Sequence, residues 1–289
     1  MKILNFGSLN YDYVYSLTHI VTPGETIAST KMETFCGGKG LNQSIALAKA
    51  GANVYHAGMV GEDGQSLCDI LSENGVITNY IKQIQGKSGH AIIQVEQTGQ
   101  NSIILFGGSN RRLTKGYIDT VLSQFEAGDY LLLQNEVNMV SYLIDQAYDR
   151  GLKIIMNPSP YDEQLATCDF SKIACFLLNE VEGHQITGKT EPDDILHEML
   201  KQYPDASVVL TLGDKGAIYQ QGMQRYVQPI FAVDVVDTTA AGDTFTGFYL
   251  AQIMRGEQVT KALEIAAKAS SIAVSRTGAA KSIPSLEEL

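Results

Sequence analysis

Val236-Asp237-Thr238-Thr239-Ala240-Ala241-Gly242-Asp243-Thr244-Phe245, continued by Thr246-Gly247-Phe248, runs small residues straight into a stretch of helical period, Thr244–Arg255. Such a join leaves several backbone N–H groups unpaired at the helix start, an arrangement that binds anions and can hold developing phosphate charge. Asp243 stands in the first turn, where the positive end of the helix dipole favours an ionised carboxylate. A carboxylate beside a phosphate cradle is the base that a hydroxyl nucleophile needs while a γ-phosphoryl group moves. Taken alone, Asp243 reads equally well as an ordinary helix-capping residue.

Outward from this segment, short apolar runs alternate with segments of helical period. Lys2–Leu9, Asn53–Val60, Tyr130–Leu133, Lys153–Met156, Cys175–Leu178 and Ser207–Leu212 read as strands. Leu41–Ala50, Gln65–Glu73, Tyr117–Phe125, Val140–Arg150 and Asp193–Lys201 read as helices, several ending at a glycine (Gly51, Gly75, Gly151, Gly256). The alternation predicts an α/β fold of three layers: a mostly parallel sheet with helices on both faces. No repeat or Pro/Ser-rich linker divides the chain, so residues 1–289 read as one domain. His90–Glu96 and Asn101–Phe106, joined by Gln97-Thr98-Gly99-Gln100, break the rhythm as an antiparallel hairpin. A hairpin inserted in a βα series is an excursion such as a lid or a dimer contact; the alternative is an extra edge pair on the main sheet.

Of the 289 residues 44% are hydrophobic and 18% charged, enough for a sizeable core. A formal charge of -11 without a basic run argues against nucleic acid and anionic lipid as partners. Cys36, Cys68, Cys168 and Cys175 form no C-x-x-C pair, which points to reduced, buried thiols in a cytoplasmic protein. The start of the chain reads as a first strand rather than a signal peptide, and no apolar run is long enough to span a bilayer.

Cys36-Gly37-Gly38-Lys39-Gly40-Leu41-Asn42-Gln43 is the second segment that can carry chemistry. Its glycines permit close backbone approach to a ligand, and Asn42 would project from the first helical turn; a packed strand-to-helix turn explains the glycines too. Asn10 and Asp12 follow the first strand, where ligands of open α/β sheets collect. Asn179-Glu180-Val181-Glu182 lies at a strand end and suits water-mediated Mg²⁺ or phosphate contacts. Thr211-Leu212-Gly213-Asp214-Lys215-Gly216 is another strand-end loop, able to border a nucleotide or to act as a plain hairpin turn. Gly183-His184-Gln185-Ile186-Thr187-Gly188-Lys189-Thr190 satisfies the G-x-x-x-x-G-K-[ST] pattern, but no strand runs into its first glycine. Thr190-Glu191-Pro192-Asp193 reads instead as a fresh helix start with Thr190 as N-cap. The five histidines show no metal-ligand spacing and read as structural or exposed.

Together these motifs resemble the ribokinase-like (PfkB) carbohydrate kinase family, nearly end to end. The resemblance rests on Gly37-Gly38-Lys39-Gly40 with Asn42-Gln43, on Asp237 through Phe245, and on Gly58, Gly61 and Asp63 between them. Asn179-Glu180-x-Glu182 and Thr211-x-Gly213-x-x-Gly216 complete the series, and Pro23-Gly24-Glu25-Thr26 with Asn101-Ser102-Ile103 favours the ribokinase branch. It implies a Rossmann-like core with a small β lid from residues 10–34 and 88–107, which would also build a homodimer. It implies Asp243 as catalytic base, with the N–H groups of Ala241, Gly242 and Asp243 as anion hole. Asn10, Asp12, Gly38, Asn42 and Glu136 would hold the sugar; Asn179, Glu182, Thr211, Gly213 and Gly216 would serve ATP and its Mg²⁺. A K⁺ ion would be held by Asp237, Thr239, Ala273, Arg276, Gly278 and Ser282, since Ala273 through Ala279 matches the family's tail segment. His90 and the turn Gly107-Gly108-Ser109-Asn110 depart from the family pattern near the expected sugar mouth.

The expected activity is ATP-dependent phosphorylation of a sugar's primary hydroxyl, D-ribose to ribose 5-phosphate first, with deoxyribose, a hexose or a nucleoside such as pseudouridine as alternatives. A non-catalytic sugar- or nucleotide-binding regulator on the same scaffold, or a phosphate-loop NTPase using Lys189, are the competing classes.

Overall fold

The computed structural model describes residues 1–289. The chain opens with β1 (Ile3–Phe6), β2 (Asn10–Leu17), β3 (Lys31–Gly37), α1 (Lys39–Lys49), β4 (Val54–Val60), α2 (Gln65–Glu73) and β5 (Ile77–Gln83). The hairpin β6 (Gly89–Glu96) and β7 (Asn101–Phe106) follows, then α3 (Lys115–Leu122), β8 (Tyr130–Leu133), α4 (Val140–Asp149) and β9 (Lys153–Met156). Next come β10 (Cys175–Asn179), α5 (Glu180–Thr187), α6 (Pro192–Gln202) and β11 (Ser207–Thr211). β12 (Ala217–Gln221), β13 (Gln224–Gln228), α7 (Ala241–Met254) and α8 (Val259–Val274) complete the chain.

Nine strands form one sheet in the order β13-β12-β11-β10-β9-β8-β1-β4-β5. It is parallel from β11 to β5, and β12 and β13 are antiparallel additions at one edge. Burial on both faces explains why its central strands are apolar throughout rather than alternating. In β1 the side chains divide by pleat. Ile3 belongs to the same buried cluster as Leu41, Ile45, Phe248 and Ala266, whereas Leu4 and Phe6 belong to a second one with Ile118, Leu143, Phe176 and Leu196 on the other face. The two clusters hold 33 and 32 buried residues, so helices cover both faces equally and the architecture is three-layered.

β3-β2-β6-β7 form a separate four-stranded sheet from the two stretches expected as the lid. The hairpin pairs β6 with β2, in parallel, and not with the main sheet, which corrects the edge-pair alternative. Its outer strand leaves Ile103, Ile104, Leu105 and Phe106 about half exposed (55%, 58%, 47% and 51%).

Several local expectations change. The helix expected from Thr244 begins at Ala241, placing Asp243 inside it. α5 runs straight through Gly183, and Gly188 (φ 71°) is its left-handed cap, so the G-x-x-x-x-G-K-T stretch forms no phosphate loop. α6 is capped by Glu191, with Pro192 in its first turn, instead of Thr190. Cys175 alone of the four unpaired cysteines is buried; Cys36, Cys68 and Cys168 are half-buried. No helix is long and apolar enough to cross a membrane.

Candidate active site

The start of α7 sits where the carboxyl ends of β9, β10 and β11 meet the main helix layer. Ala240 adopts a left-handed conformation (φ 60°, ψ 11°), a strain of about 1 kcal/mol that turns the loop abruptly into the helix. Ala241 N–H donates to the Thr238 carbonyl at 3.2 Å, and Thr244 N–H to the Ala240 carbonyl at 2.8 Å. Between them, the N–H groups of Gly242 and Asp243 find no acceptor in the protein. A Cβ built on Gly242 would meet nothing within 4 Å, so the approach to these donors is open. They border a polar cavity of about 220 Å³ that also takes in Lys39, Asn157, Ser159, Asn179, Glu182 and Thr238.

Asp243 is 7% exposed. Its Oδ2 accepts from Asn42 Nδ2 at 3.0 Å and its Oδ1 from Gln43 Nε2 at 2.8 Å, both donors coming from the first turns of α1. Lys39, at the start of α1, feels three carboxylates. Burial works against its charge, but Asp243, Glu136 and Glu182 outweigh it and hold its pKa above the ordinary lysine value.

On the lid side, Glu136 follows β8, and its Oε2 accepts from Lys39 N–H at 2.9 Å and from the Ser8 hydroxyl. Asn10 is buried and its Oδ1 accepts from Asn110 Nδ2 at 2.7 Å, while Asn110 Oδ1 accepts from Leu9 N–H at 3.0 Å. A Cβ at Gly37 would lie 2.1 Å from Asp12 Oδ2, so glycine there leaves room for that carboxylate. Burial and then the charge of Glu136 push the Asp12 carboxyl up to about 7. Gly38, at φ 95°, is the N-cap of α1 and lies against Ser8 and Asn10. The buried Asn42 Oδ1 has no hydrogen-bond partner. Asn10, Asp12, Gly38, Asn42 and Glu136 therefore cluster about the start of α1, where the sugar mouth is expected.

The two departures from the family pattern separate here. Asn110 bonds directly to Asn10, so the Gly107–Asn110 turn does reach this mouth. His90 does not. It pairs in register with Tyr11 and packs its ring on Tyr13 (5.6 Å) and Phe106 (4.9 Å). Strand alternation puts those side chains on the sheet face opposite Asn10 and Asp12.

A second, more apolar cavity of about 510 Å³ adjoins the first, sharing Asn179, Thr211, Thr238, Ala241 and Gly242 with it. Ile230, Phe231, Val233, Phe245 and Val274 supply its apolar walls, and Gly213 and Gly216 border it. Asn179 and Glu182 form a reciprocal helix cap. Asn179 Oδ1 accepts from Val181 and Glu182 N–H, and Glu182 Oε2 accepts from Asn179 N–H at 2.8 Å. That cap leaves Glu182 Oε1 without a protein donor beside the polar cavity.

Below α7, Asp237 ties two loops together, accepting from Thr239 N–H and from Gly278 N–H, each at 2.9 Å. Burial opposes its ionisation, but these bonds outweigh it and hold its pKa below the usual carboxylate value. Ala273 and Arg276 close the end of α8, the Ala273 carbonyl accepting from Arg276 N–H at 3.1 Å. The Arg276 guanidinium turns away to Glu288 at 2.5 Å. Ser282 is fully buried in the following turn and donates to the Ala279 carbonyl. Asp237, Thr239 and Gly278 are thus joined directly; Ser282 has no bond to them.

Sequence reading assigned no part to Ser8, Lys39, Gln43, Asn110 or Asn157. Lys39 and Gln43 lie inside the quoted glycine-rich segment and Asn110 inside the quoted turn, so proximity in sequence was a usable signal. Asn157 follows β9 without any motif around it.

Residues 1–286 match the family described as pfkB family carbohydrate kinase. The ribokinase of Bacillus subtilis (strain 168) is 33% identical over 293 residues, covering 100% of this chain and 98% of its own. Among solved structures, the ribokinase of Cryptococcus neoformans var. grubii serotype A in complex with ADP aligns at a TM-score of 0.87 and 31% identity. That alignment covers 99% of this chain and 98% of the other. The Arabidopsis thaliana ribokinase complexed with ribose and ATP aligns at 0.86 and 30%, covering 99% and 96%.

Proposed function

The chain belongs to the pfkB family of carbohydrate kinases and is an ATP-dependent sugar phosphotransferase; from that premise we propose that it phosphorylates the primary hydroxyl of D-ribose, with Asp243 as general base. One observation carries the reading. A buried carboxylate stands beside two acceptor-free N–H groups at the open end of α7, between a polar mouth and an apolar slot.

In this reading Asn10, Asp12, Asn42 and Glu136, with the backbone at Gly38, bind and orient the sugar so that its primary hydroxyl faces Asp243 Oδ. The carboxylate takes the hydroxyl proton as the O–P bond forms, and the Gly242 and Asp243 N–H groups stabilise charge on the phosphoryl oxygens. Ala241 N–H, already bonded to Thr238, is the weakest member of the expected anion hole. Lys39 adds a positive charge at the same cavity. The apolar slot beside Gly213 and Gly216 takes the adenine base, with Thr211 and Asn179 between base and phosphates.

The residues present offer oxygen donors for both ions. Glu182 offers an undonated Oε1 at the cavity, and Asn179 and Glu182 would hold Mg²⁺ through water, where it neutralises phosphate charge. Asp237, the Ser282 hydroxyl and the carbonyls of Thr239, Ala273, Arg276 and Gly278 are hard oxygen donors suited to K⁺, whose charge would strengthen the anion hole. The half-exposed apolar strand β7 supports a homodimer built through the small sheet, which would close the sugar mouth as a lid. The unpaired cysteines support a reducing, cytoplasmic setting.

The ribose assignment follows the names of the relatives and the ribose-bound Arabidopsis structure. A coupled ATP-consumption screen of D-ribose, deoxyribose, fructose and pseudouridine, with and without K⁺, tests it. D-ribose gives the highest kcat/KM, and K⁺ raises kcat. A tenfold preference for another substrate overturns the ribose assignment, and binding without ATP consumption across all four overturns the kinase reading itself.

A further inference from the structure

Behind Asp243 lies a ladder of buried amides whose orientations are fixed from the far end. Asn5 Nδ2 donates to the Gly40 carbonyl at 2.8 Å and to Ser44 Oγ at 2.8 Å. A carbonyl can only accept, so Asn5 must turn its Oδ1 the other way, where it accepts from Gln134 Nε2 at 3.0 Å. The same Gln134 nitrogen donates to Gln43 Oε1 at 2.6 Å. Gln43 is thereby obliged to present its Nε2 on the remaining side, where it donates to Asp243 Oδ1 at 2.8 Å and to Asn157 Oδ1 at 2.9 Å. Asn157 is oriented in turn by its Nδ2, which donates to the Leu177 carbonyl at 2.8 Å.

Asn5, Gln43 and Gln134 are at most 1% exposed. Burying three primary amides is costly, the more so because Gln134 Oε1 is left without a hydrogen-bond partner, and a hydrophobic trio of the same volume would pack this interface between α1 and the sheet more simply. The ladder makes one difference that packing does not: it excludes the flipped Gln43, which would set an amide oxygen against the carboxylate. Asn42, the other donor to Asp243, has no such anchor, since its buried Oδ1 is unpartnered.

We propose that Gln43 is a positioning residue for the transfer reaction, holding Asp243 in a single ionised orientation, and that Gln134 and Asn5 act through it. The inference rests on Asp243 as the base. The charged groups around this site are Lys39 at the start of α1, Glu136 after β8 and Glu182 on α5; none belongs to the ladder.

The test compares wild type, Gln43→Leu, Gln134→Met and Asp243→Asn with D-ribose and ATP. It reads kcat, both KM values, thermal unfolding, and the pH dependence of kcat at saturating sugar. Gln43→Leu lowers kcat by about 10- to 100-fold with both KM values within about twofold. Loss of a donor to the carboxylate also moves the acid-side midpoint of kcat to higher pH. Gln134→Met, which does not touch Asp243, shifts both quantities the same way by about a third as much on a logarithmic scale. If Gln43→Leu fails to fold, Gln134→Met decides alone. Wild-type kcat and acid limb in the ladder variants, with Asp243→Asn inactive, overturn the positioning role and leave the base intact. An effect confined to KM overturns it as well. Wild-type kcat in Asp243→Asn overturns the base assignment instead.

Discussion

Gly247 lets α7 lie directly on α1, and a single methyl group there should uncouple Asp243 from its amide donors. A Cβ at position 247 would stand 2.4 Å from Ala46 Cβ, 2.7 Å from the Leu47 nitrogen and 2.8 Å from the Ala46 carbonyl carbon. Carbon atoms in contact prefer about 3.5 Å or more, so Gly247→Ala must push the helices apart by about 1 Å at this point. Two of the three obstacles are backbone atoms and cannot rotate away. The Gln43 and Asn42 bonds to Asp243, now 2.8 and 3.0 Å, would lengthen to nearly 4 Å and cease to be hydrogen bonds. Overpacking of this kind costs about 1–3 kcal/mol, which lowers Tm by roughly 2–5 °C in a chain of this size. A misplacement of about 1 Å at a reacting group can lower kcat by about 100-fold. Calorimetry and steady-state kinetics on Gly247→Ala check both numbers. A variant with wild-type Tm and kcat would refute the claim that this close helix approach sets the geometry of Asp243.

A sugar contact at Asp12, as proposed, predicts a pH-dependent sugar affinity. Its carboxyl titrates near about 7, and hydroxyl donors favour the ionised form, so a proton must leave when sugar binds at lower pH. The KM for sugar therefore rises below pH 7, by up to about tenfold per unit, while Asp12→Asn raises KM and flattens its pH profile; a flat wild-type profile contradicts this. Lys189→Ala leaves kcat and KM for ATP unchanged, because the eight-residue α5 places Lys189 about 12 Å along the helix from the cavity; a large loss would revive the phosphate-loop reading. Ile104→Asp on the exposed strand β7 converts a dimer to a monomer in sedimentation velocity and raises the KM for sugar. Wild-type sedimentation would place the interface elsewhere.

The parts of the fold that were legible are those where burial writes a pattern. β1, β4, β8, β9, β10 and β11 are buried on both faces and read as apolar runs between glycine-terminated helices. β5 and β13 were missed because edge strands such as Gln224–Gln228 are exposed and carry polar residues on both faces; β12 is an interior strand whose apolar run is only Ala217-Ile218-Tyr219, too short to read as one. α8 was missed as a helix because its packing uses alanines (Ala262, Ala266, Ala269, Ala273), which leave a weak apolar period. The small sheet was visible as a hairpin, but the pairing of β6 with β2, whose partners such as Asn10 and Gly89 are about 80 residues apart, has no local signature. The candidate site shows the same division. Asp243, Asn42 and the glycines stand in short motifs. Gln134, Asn5 and Asn157 are scattered polar residues at strand ends, brought together only by the parallel order of β1, β8 and β9. His90 shows the converse error: near the mouth in sequence, its side chain faces away from it.

Asp243→Asn is nearly isosteric and keeps a side chain between Asn42 and Gln43, so it removes the basic function with little change of shape. Single-turnover phosphoryl transfer at saturating ATP and D-ribose, with ATP binding measured alongside, tests the base assignment most directly. General-base catalysis contributes about 10²–10⁴-fold, so the assignment predicts a loss of that size with ATP affinity unchanged. A transfer rate within about threefold of wild type would contradict it.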